Sequence, residues 1–198
     1  IDSWVVGAAA RQLGAWKASL PGADDLYMHV NLSAYAFQGE GPLANLEAAV
    51  ATHGLRADQL RVELTESALV EHPEQAAEVL SELRRHGFHV ALDDFGTGYS
   101  SLSYLSRFAF DSLKIDRSFV SGPDGLEASG RTLKLVRAII EIGRSLNLEI
   151  VAEGIETSLQ AGRLRAMGCR LAQGYHLGRP VAPEETTALL QERLPLAV

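Results

Sequence analysis

The sequence predicts an α/β fold, a TIM-like (β/α)8 barrel of which about six βα units lie in this chain. Two observations predict it. Short apolar runs alternate with amphipathic helical runs along the whole chain, with no low-complexity segment and no charge block, and such alternation implies parallel strands joined by right-handed helical crossovers. Six strand candidates in succession each end in an acid, amide or amine. An open doubly wound sheet gathers its polar groups at one switch point, whereas a barrel brings every strand C-terminus to one mouth. The pattern favours the barrel.

The elements follow in order. The chain opens in a helical pattern with Trp4, Val5 and Ala8 on one face, and Trp4 and Trp16 read as packing residues of that helix. Strands are expected at Leu26–Leu32, Leu60–Leu64, His89–Leu92, Ser112–Ile115, Glu149–Ala152 and Leu171–Gln173, each a short apolar run of strand length. Helices are expected at Leu43–His53, Pro73–His86, Ser100–Phe108, Arg131–Leu146, Ser158–Met167 and Pro183–Arg193. In Arg131–Leu146 the residues Leu135, Val136, Ile139, Ile142 and Leu146 fall near helical spacing, which predicts a buried stripe. Gly87 and Gly168 follow two of the helices and serve as stop signals. The stretch Ser121–Gly130 is expected to be a mobile loop.

Composition narrows the classes of function. With 198 residues the chain can bury a sizeable core, and it reads as a single domain over 1–198. A net charge of −7 argues against binding to a nucleic acid polymer. The single cysteine, Cys169, cannot form an internal disulfide; it reads as a small buried residue in a reducing, cytoplasmic setting. No run approaches the roughly 18 apolar residues of a membrane span. Asn31-Leu32-Ser33 matches a glycosylation sequon but lies on an expected strand. The six histidines lack metal-protease spacing, and His86 and His89 read as structural or exposed.

The strand ends carry the chemistry. They present Asn31, Glu63 with Glu66, Asp93 with Asp94, Lys114 with Asp116, Glu153 with Glu156, and Gln173. Converging carboxylates repel one another unless something positive binds them. Glu63, Asp93, Asp94, Asp116 and Glu153, with the neutral donor Asn31, make an oxygen-rich set suited to hard divalent cations. The adjacent pair Asp93-Asp94 could serve two ions with Asp93 shared, and two ions about 3.5–4 Å apart are a recurrent device for phosphate-ester hydrolysis. Lys114 would add a cation beside a phosphate oxygen or an attacking water. Read singly, Glu63 is equally a solvated strand-end charge and Asp93 a helix cap.

"NLS", "ELTES", "DDFGTGYSSL", "LKID", "VAEGIE" and "QGY" stand in this order along essentially the whole chain. Together they resemble the EAL-domain family, bacterial phosphodiesterases of the second messenger cyclic di-GMP. The resemblance implies a TIM-like barrel that hydrolyses one phosphodiester of cyclic di-GMP to linear pGpG with Mg²⁺ or Mn²⁺, two ions being expected. It implies Asn31, Glu63 and Asp93 as metal ligands, Asp94 and Glu153 at the second ion, and Lys114 at the attacking water or a phosphate. Glu66 would hold the segment Phe95–Ser101 as a lid, and Gln173 would face the nucleotide or help position Glu153. Asn31, Asp94 and Gln173 are also expected on the substrate side.

The Glu-Ala-Leu motif that names the family is absent, and Ile1-Asp2-Ser3-Trp4 resembles the family sequence that follows it. Two of the eight barrel units are therefore expected to be missing from these residues, which alone should hydrolyse little. Family members often dimerise near the lid; here that is Tyr99–Phe110, with Leu102, Leu105 and Phe108 as apolar candidates, although such a stripe also serves simple helix packing. Attached sensory or regulatory domains are expected outside the chain. One other reading remains open, a non-catalytic cyclic di-GMP receptor; the adjacent Asp93-Asp94 pair and the family motifs argue against a remoter one, a barrel lyase of the enolase type in which strand-end acids hold Mg²⁺ and a lysine abstracts a proton.

Overall fold

The structure is a computed structural model and describes residues 1–37, 41–96, 104–105, 107–121, 125–126 and 130–194. Its strands are β1 (Met28–Asn31), β2 (Leu60–Thr65), β3 (Val90–Phe95), β4 (Ser112–Ile115), β5 (Glu149–Ala152) and β6 (Leu171–Ala172). The strand order of the sheet is that of the chain. The α-helices are α1 (Asp2–Ser19), α2 (Leu43–Thr52), α3 (Glu66–Glu71), α4 (Pro73–Arg85), α5 (Arg117–Val120), α6 (Gly130–Ser145), α7 (Ser158–Ala166) and α8 (Pro183–Arg193). The chain forms two compact units, one of Ile1–Glu63, Glu71–Val90 and Pro180–Val198, the other of Leu64–Val70 and Ala91–Arg179.

In the first unit β1 pairs parallel with β2, Met28 opposite Leu60 and Asn31 opposite Glu63. The expected strand Leu26–Leu32 is shorter at both ends, at its start because Leu26 closes a 3₁₀ turn at Ala23–Asp25. Helix α1 buries Val6, Ala10 and Leu13 and leaves Trp4 73% exposed, so the face expected from Trp4, Val5 and Ala8 is corrected. Trp16 is anchored by its indole N–H, which donates to the Thr187 hydroxyl at 2.8 Å. Helix α4 starts at Pro73, whose missing N–H costs nothing at a helix start, and buries Ala76, Leu80 and Leu83 at helical spacing. At the N-terminal end of β2 the buried amide of Gln59 ties the neighbouring loops together. It accepts from Lys17 Nζ at 2.6 Å and from the Arg56 N–H, and donates to the carbonyls of Asp24 and Leu26.

In the second unit β3, β4, β5 and β6 pair parallel in succession. All four residues of β4 are buried, as a parallel strand covered on both faces requires. Helix α6 buries Val136, Ile139, Ile140 and Gly143, while Leu135 and Leu146 are 47% and 44% exposed. The expected stripe is thus rotated by about one residue. Helix α7 is opened by a capping box in which the Thr157 hydroxyl accepts from the Gln160 N–H and the Gln160 side chain accepts from the Thr157 N–H, the reciprocal arrangement that satisfies two free donors. Cys169 is buried just before β6, as expected, and burial pushes its thiol up from the ordinary value, partly opposed by backbone hydrogen bonds.

The expected helix Ser100–Phe108 and the stretch Ser121–Gly130 lie largely outside the described residues. Of their described members, Leu105, Phe108 and Leu126 are buried. Tyr104 stacks on Phe108 at 5.6 Å, and Phe108 meets Phe110 edge-on at 6.3 Å.

Candidate active site

The C-terminal ends of β3, β4 and β5 bring together four of the charged residues expected at the site. Carboxylate oxygens of Asp93, Asp94 and Glu153 lie within 4.8 Å of one another. Lys114, 4% exposed, places Nζ 2.7 Å from Glu153 Oε1 and 3.1 Å from Asp93 Oδ1. One ammonium thus serves two of three crowded acids. Every donor in the cluster is a carboxylate oxygen, the class that suits a hard divalent cation.

Adjacent strand residues normally face opposite ways. Asp93 and Asp94 share one cluster because β3 is irregular there. Leu92 pairs with Leu113 and Phe95 with Ile115, so β3 spends three steps where β4 spends two. Asp94 occupies the left-handed region at φ 54, and its N–H donates to Asp93 Oδ1 at 2.9 Å. The chain then turns at Gly96, φ +97, where a Cβ would stand 2.8 Å from the Phe119 ring. The Gly96 N–H donates to Glu66 Oε2 at 3.3 Å, and Glu66 is 2% exposed at the start of α3. The contact expected between Glu66 and the segment after β3 is therefore present at Gly96; residues 97–101 lie outside the described ones. Phe119, on the short α5, is a neighbour that the sequence did not single out. After Glu153 the chain turns at Gly154, φ +67, where a Cβ would collide with the Cβ of Arg117.

The other expected residues are placed as follows. Asn31 and Glu63 are register partners in the first unit, Asn31 exposed and Glu63 5% exposed. Glu63 Oε1 lies 2.6 Å from His29 Nδ1, a residue missed by the sequence reading although it stands two positions before Asn31 and so shares its strand face. Asp116 caps α5, its Oδ1 accepting from the Ser118 N–H at 3.0 Å, and it is not one of the three clustered acids. Gln173 follows β6 with an exposed side chain; its N–H donates to the Ala152 carbonyl and its carbonyl accepts from the Ile155 N–H. This holds the segment after Glu153 against the segment after β6. Tyr175 is 57% exposed beneath the Arg179 guanidinium, 4.4 Å from the ring centre.

Parallel βα units in succession, with a carboxylate cluster at the strand ends that could hold a cation, define an α/β barrel class, and comparison with known proteins places it. The EAL domain family model matches residues 1–180. The chain belongs to the EAL domain family, and its fold is a partial TIM-like (β/α)8 barrel. It is 39% identical over 188 residues to the bifunctional diguanylate cyclase/cyclic di-GMP phosphodiesterase MucR of Pseudomonas aeruginosa, a match covering 95% of this chain and 27% of the relative. The chain thus spans about a quarter of that relative's length. The solved structure of the MucR phosphodiesterase in complex with c-di-GMP matches with a TM-score of 0.85 over 93% of this chain and 72% of that one. The EAL domain of Mycobacterium smegmatis DcpA matches with a TM-score of 0.90 at 35% identity, over 97% and 84% of the two chains. A manganese and cyclic di-GMP complex of Klebsiella pneumoniae BlrP1 matches with a TM-score of 0.78 at 30% identity, over 88% and 43%. Among the described residues no helix is long and apolar enough to cross a membrane.

Proposed function

We propose that the chain belongs to a metal-dependent phosphodiesterase that opens one phosphodiester of cyclic di-GMP to give linear pGpG. The clustered Asp93, Asp94 and Glu153 around Lys114 are the observation that carries this reading. The names of relatives such as MucR and the BlrP1 complex support it. Asn31, Glu63 and Asp93 would hold one Mg²⁺ or Mn²⁺, and Asp94 and Glu153 a second, with Asp116 nearby in sequence as a further carboxylate. When bound, such ions neutralise phosphate charge and lower the pKa of a water.

The chain's own residues do the rest. Lys114 keeps Asp93 and Glu153 at fixed separation and would donate a hydrogen bond to the attacking water or to a phosphate oxygen. Glu66 holds Gly96 and, through it, the Asp93-Asp94 turn. Asn31, Asp94 and Gln173 would face the nucleotide. Water adds its oxygen to phosphorus, the bond from phosphorus to the ribose 3′ oxygen breaks, and the leaving oxygen takes up a proton. The intact cluster favours a hydrolase over a receptor that only binds the dinucleotide.

The reading extends to a single EAL-type domain over 1–198, a cytoplasmic location, and sensory or regulatory domains attached outside the chain. It also includes a homodimer through 99–110, in which Leu105 and Phe108, buried within the chain itself, would not supply the contact. The test is pGpG release from cyclic di-GMP, with Mn²⁺ or Mg²⁺, by purified protein in which the two expected preceding strands, with a Glu-Ala-Leu motif, stand ahead of Ile1. The expected result is turnover that Asp93→Ala abolishes while the fold survives; near-normal turnover by folded Asp93→Ala would refute the metal assignment. Binding of cyclic di-GMP without turnover by that longer protein would establish the receptor reading.

A further inference from the structure

The short helix α5 touches both turns that carry the clustered acids. It follows β4, the strand between β3 and β5. Ile115, the last residue of β4, has Phe95 opposite on one side and Ala152 on the other, and its carbonyl accepts from the Glu153 N–H at 3.0 Å. Asp116 then opens α5. Its Oδ1 accepts from the Ser118 N–H at 3.0 Å, and its carbonyl accepts from the Phe119 N–H at 3.1 Å. On one flank, a Cβ at Gly96, two residues past Asp94, would stand 2.8 Å from Cε2 and from Cζ of Phe119. On the other flank, a Cβ at Gly154, next to Glu153, would collide with the Cβ of Arg117 and stand 3.2 Å from the Ser121 hydroxyl. Both turns therefore approach α5 so closely that neither has room for a β carbon.

We propose that α5 is the spacer of the ion site. Wedged between the Asp93-Asp94 turn and the Glu153 turn, it fixes how far apart these acids stand, with Phe119 in contact on one side and Arg117 on the other. Asp116 is then a positioning residue that acts by capping α5, not by reaching the ion. This rests on the reading of the cluster as a cation site. Three carboxylates within 4.8 Å repel one another, while Lys114 draws Asp93 and Glu153 together. Their separation in the ion-free protein is set by what packs against the turns that carry them, and a close-packed wedge yields little. A helix of four residues has no stability of its own, so its cap and its two contacts decide whether the wedge holds. Groups that orient ligands from behind commonly contribute about ten- to a hundredfold in metal affinity.

The experiment is Mn²⁺ titration calorimetry on the purified chain, with thermal unfolding in chelator recorded for each variant. Asp94→Asn is the reference: asparagine tolerates the left-handed backbone there and should bind Mn²⁺ more weakly. Asp116→Ala removes the cap and should lose about tenfold in affinity. Asp116→Asn keeps an acceptor oxygen and caps as well as aspartate, so it should recover most of that loss. Phe119→Leu, which ends short of Cε2 and Cζ, should also bind more weakly. A role in stability alone would lower the melting temperature and leave the affinity of the folded variants where it is. Asp116→Asn binding as weakly as Asp116→Ala would show that the charge acts on the ion directly, and overturns the inference. So does unchanged affinity in Asp116→Ala and Phe119→Leu with Asp94→Asn impaired. If Asp116→Ala does not fold, Phe119→Leu decides in its place. Unchanged binding by Asp94→Asn, or no Mn²⁺ bound by the unaltered chain, overturns the cation reading of the cluster and the inference with it.

Discussion

Replacing Lys114 by methionine keeps the aliphatic stem and removes the ammonium. Its Nζ lies 2.7 Å from Glu153 and 3.1 Å from Asp93, which at an effective dielectric of about 20 corresponds to gross attractions of about 6 and 5 kcal/mol. Removing the ammonium also removes its desolvation penalty, and one acid can take up a proton. What survives is the cost of leaving a buried charge unpaired, about 3–5 kcal/mol. Asp93 and Glu153 retain 12% and 18% side-chain exposure, which places the loss near the lower end, about 3 kcal/mol. For a chain of this size that is a fall of about 6–12 °C in melting temperature. The assay is urea and thermal unfolding of Lys114→Met and the unaltered protein, first in chelator and then in millimolar Mn²⁺. In chelator the full loss is expected. In Mn²⁺ it should shrink below about 1 kcal/mol, because the three acids, with no ammonium among them, bind the cation more tightly and binding stabilises the folded state. An equal loss in both solutions would show that Lys114 acts by packing alone. A negligible loss in chelator would show that the carboxylates do not require it.

Three further outcomes are expected. Glu66→Ala removes the acceptor at the Gly96 N–H and should weaken Mn²⁺ binding about tenfold; unchanged affinity by calorimetry would remove its positioning role. The buried Cys169 thiol is raised above its ordinary value by desolvation, so its contribution to stability is complete below about pH 8.5, where the unfolded thiol begins to ionise, and is lost as pH climbs toward the folded value. Urea midpoints should therefore fall between pH 7.5 and 9.5, and Cys169→Ala should flatten that fall. Light scattering at high micromolar concentration should show a dimer if 99–110 is an interface, and a strictly monomeric species would remove that contact.

The alternation of elements was legible because the strands are short Val, Leu and Ile runs and the helices stop at glycines. Four of the charged site residues were legible for a related reason: each lies in the last residues of its strand or directly after it, so finding the strand finds the residue. Two helix faces were not. The first helix is apolar or small on nearly every side, so several phases fit, and only packing selects Val6, Ala10 and Leu13. In Gly130–Ser145 the neighbours Leu135-Val136 and Ile139-Ile140 straddle the boundary of the face, and burial follows the second member at 136. The helices Glu66–Glu71 and Arg117–Val120 are six and four residues long, too short to show a period. His29 was hidden for another reason. One polar residue within a strand is bland until the register is known, and the pairing of Asn31 with Glu63 is what brings the imidazole within reach of the carboxylate.

Two adjacent aspartates at the end of an apolar strand are costly twice over, and both costs have a use. A non-glycine residue in the left-handed region is strained by about 1–2 kcal/mol, aspartate less than most because its short polar side chain bonds locally. Here the local bond runs the other way, from the Asp94 N–H to the Asp93 carboxylate, so the strained peptide stabilises the neighbouring charge. The second cost is the mutual repulsion of three acids within 4.8 Å, which Lys114 offsets only in part. Without the extra residue in β3, Asp94 would turn to the opposite face and the repulsion would ease, but the cluster would drop to two carboxylates. The fold therefore accepts backbone strain to keep a surplus of negative charge at one point. A site with such a surplus is stabilised by whatever cation it binds, and the same surplus that weakens the ion-free protein strengthens its hold on the ion.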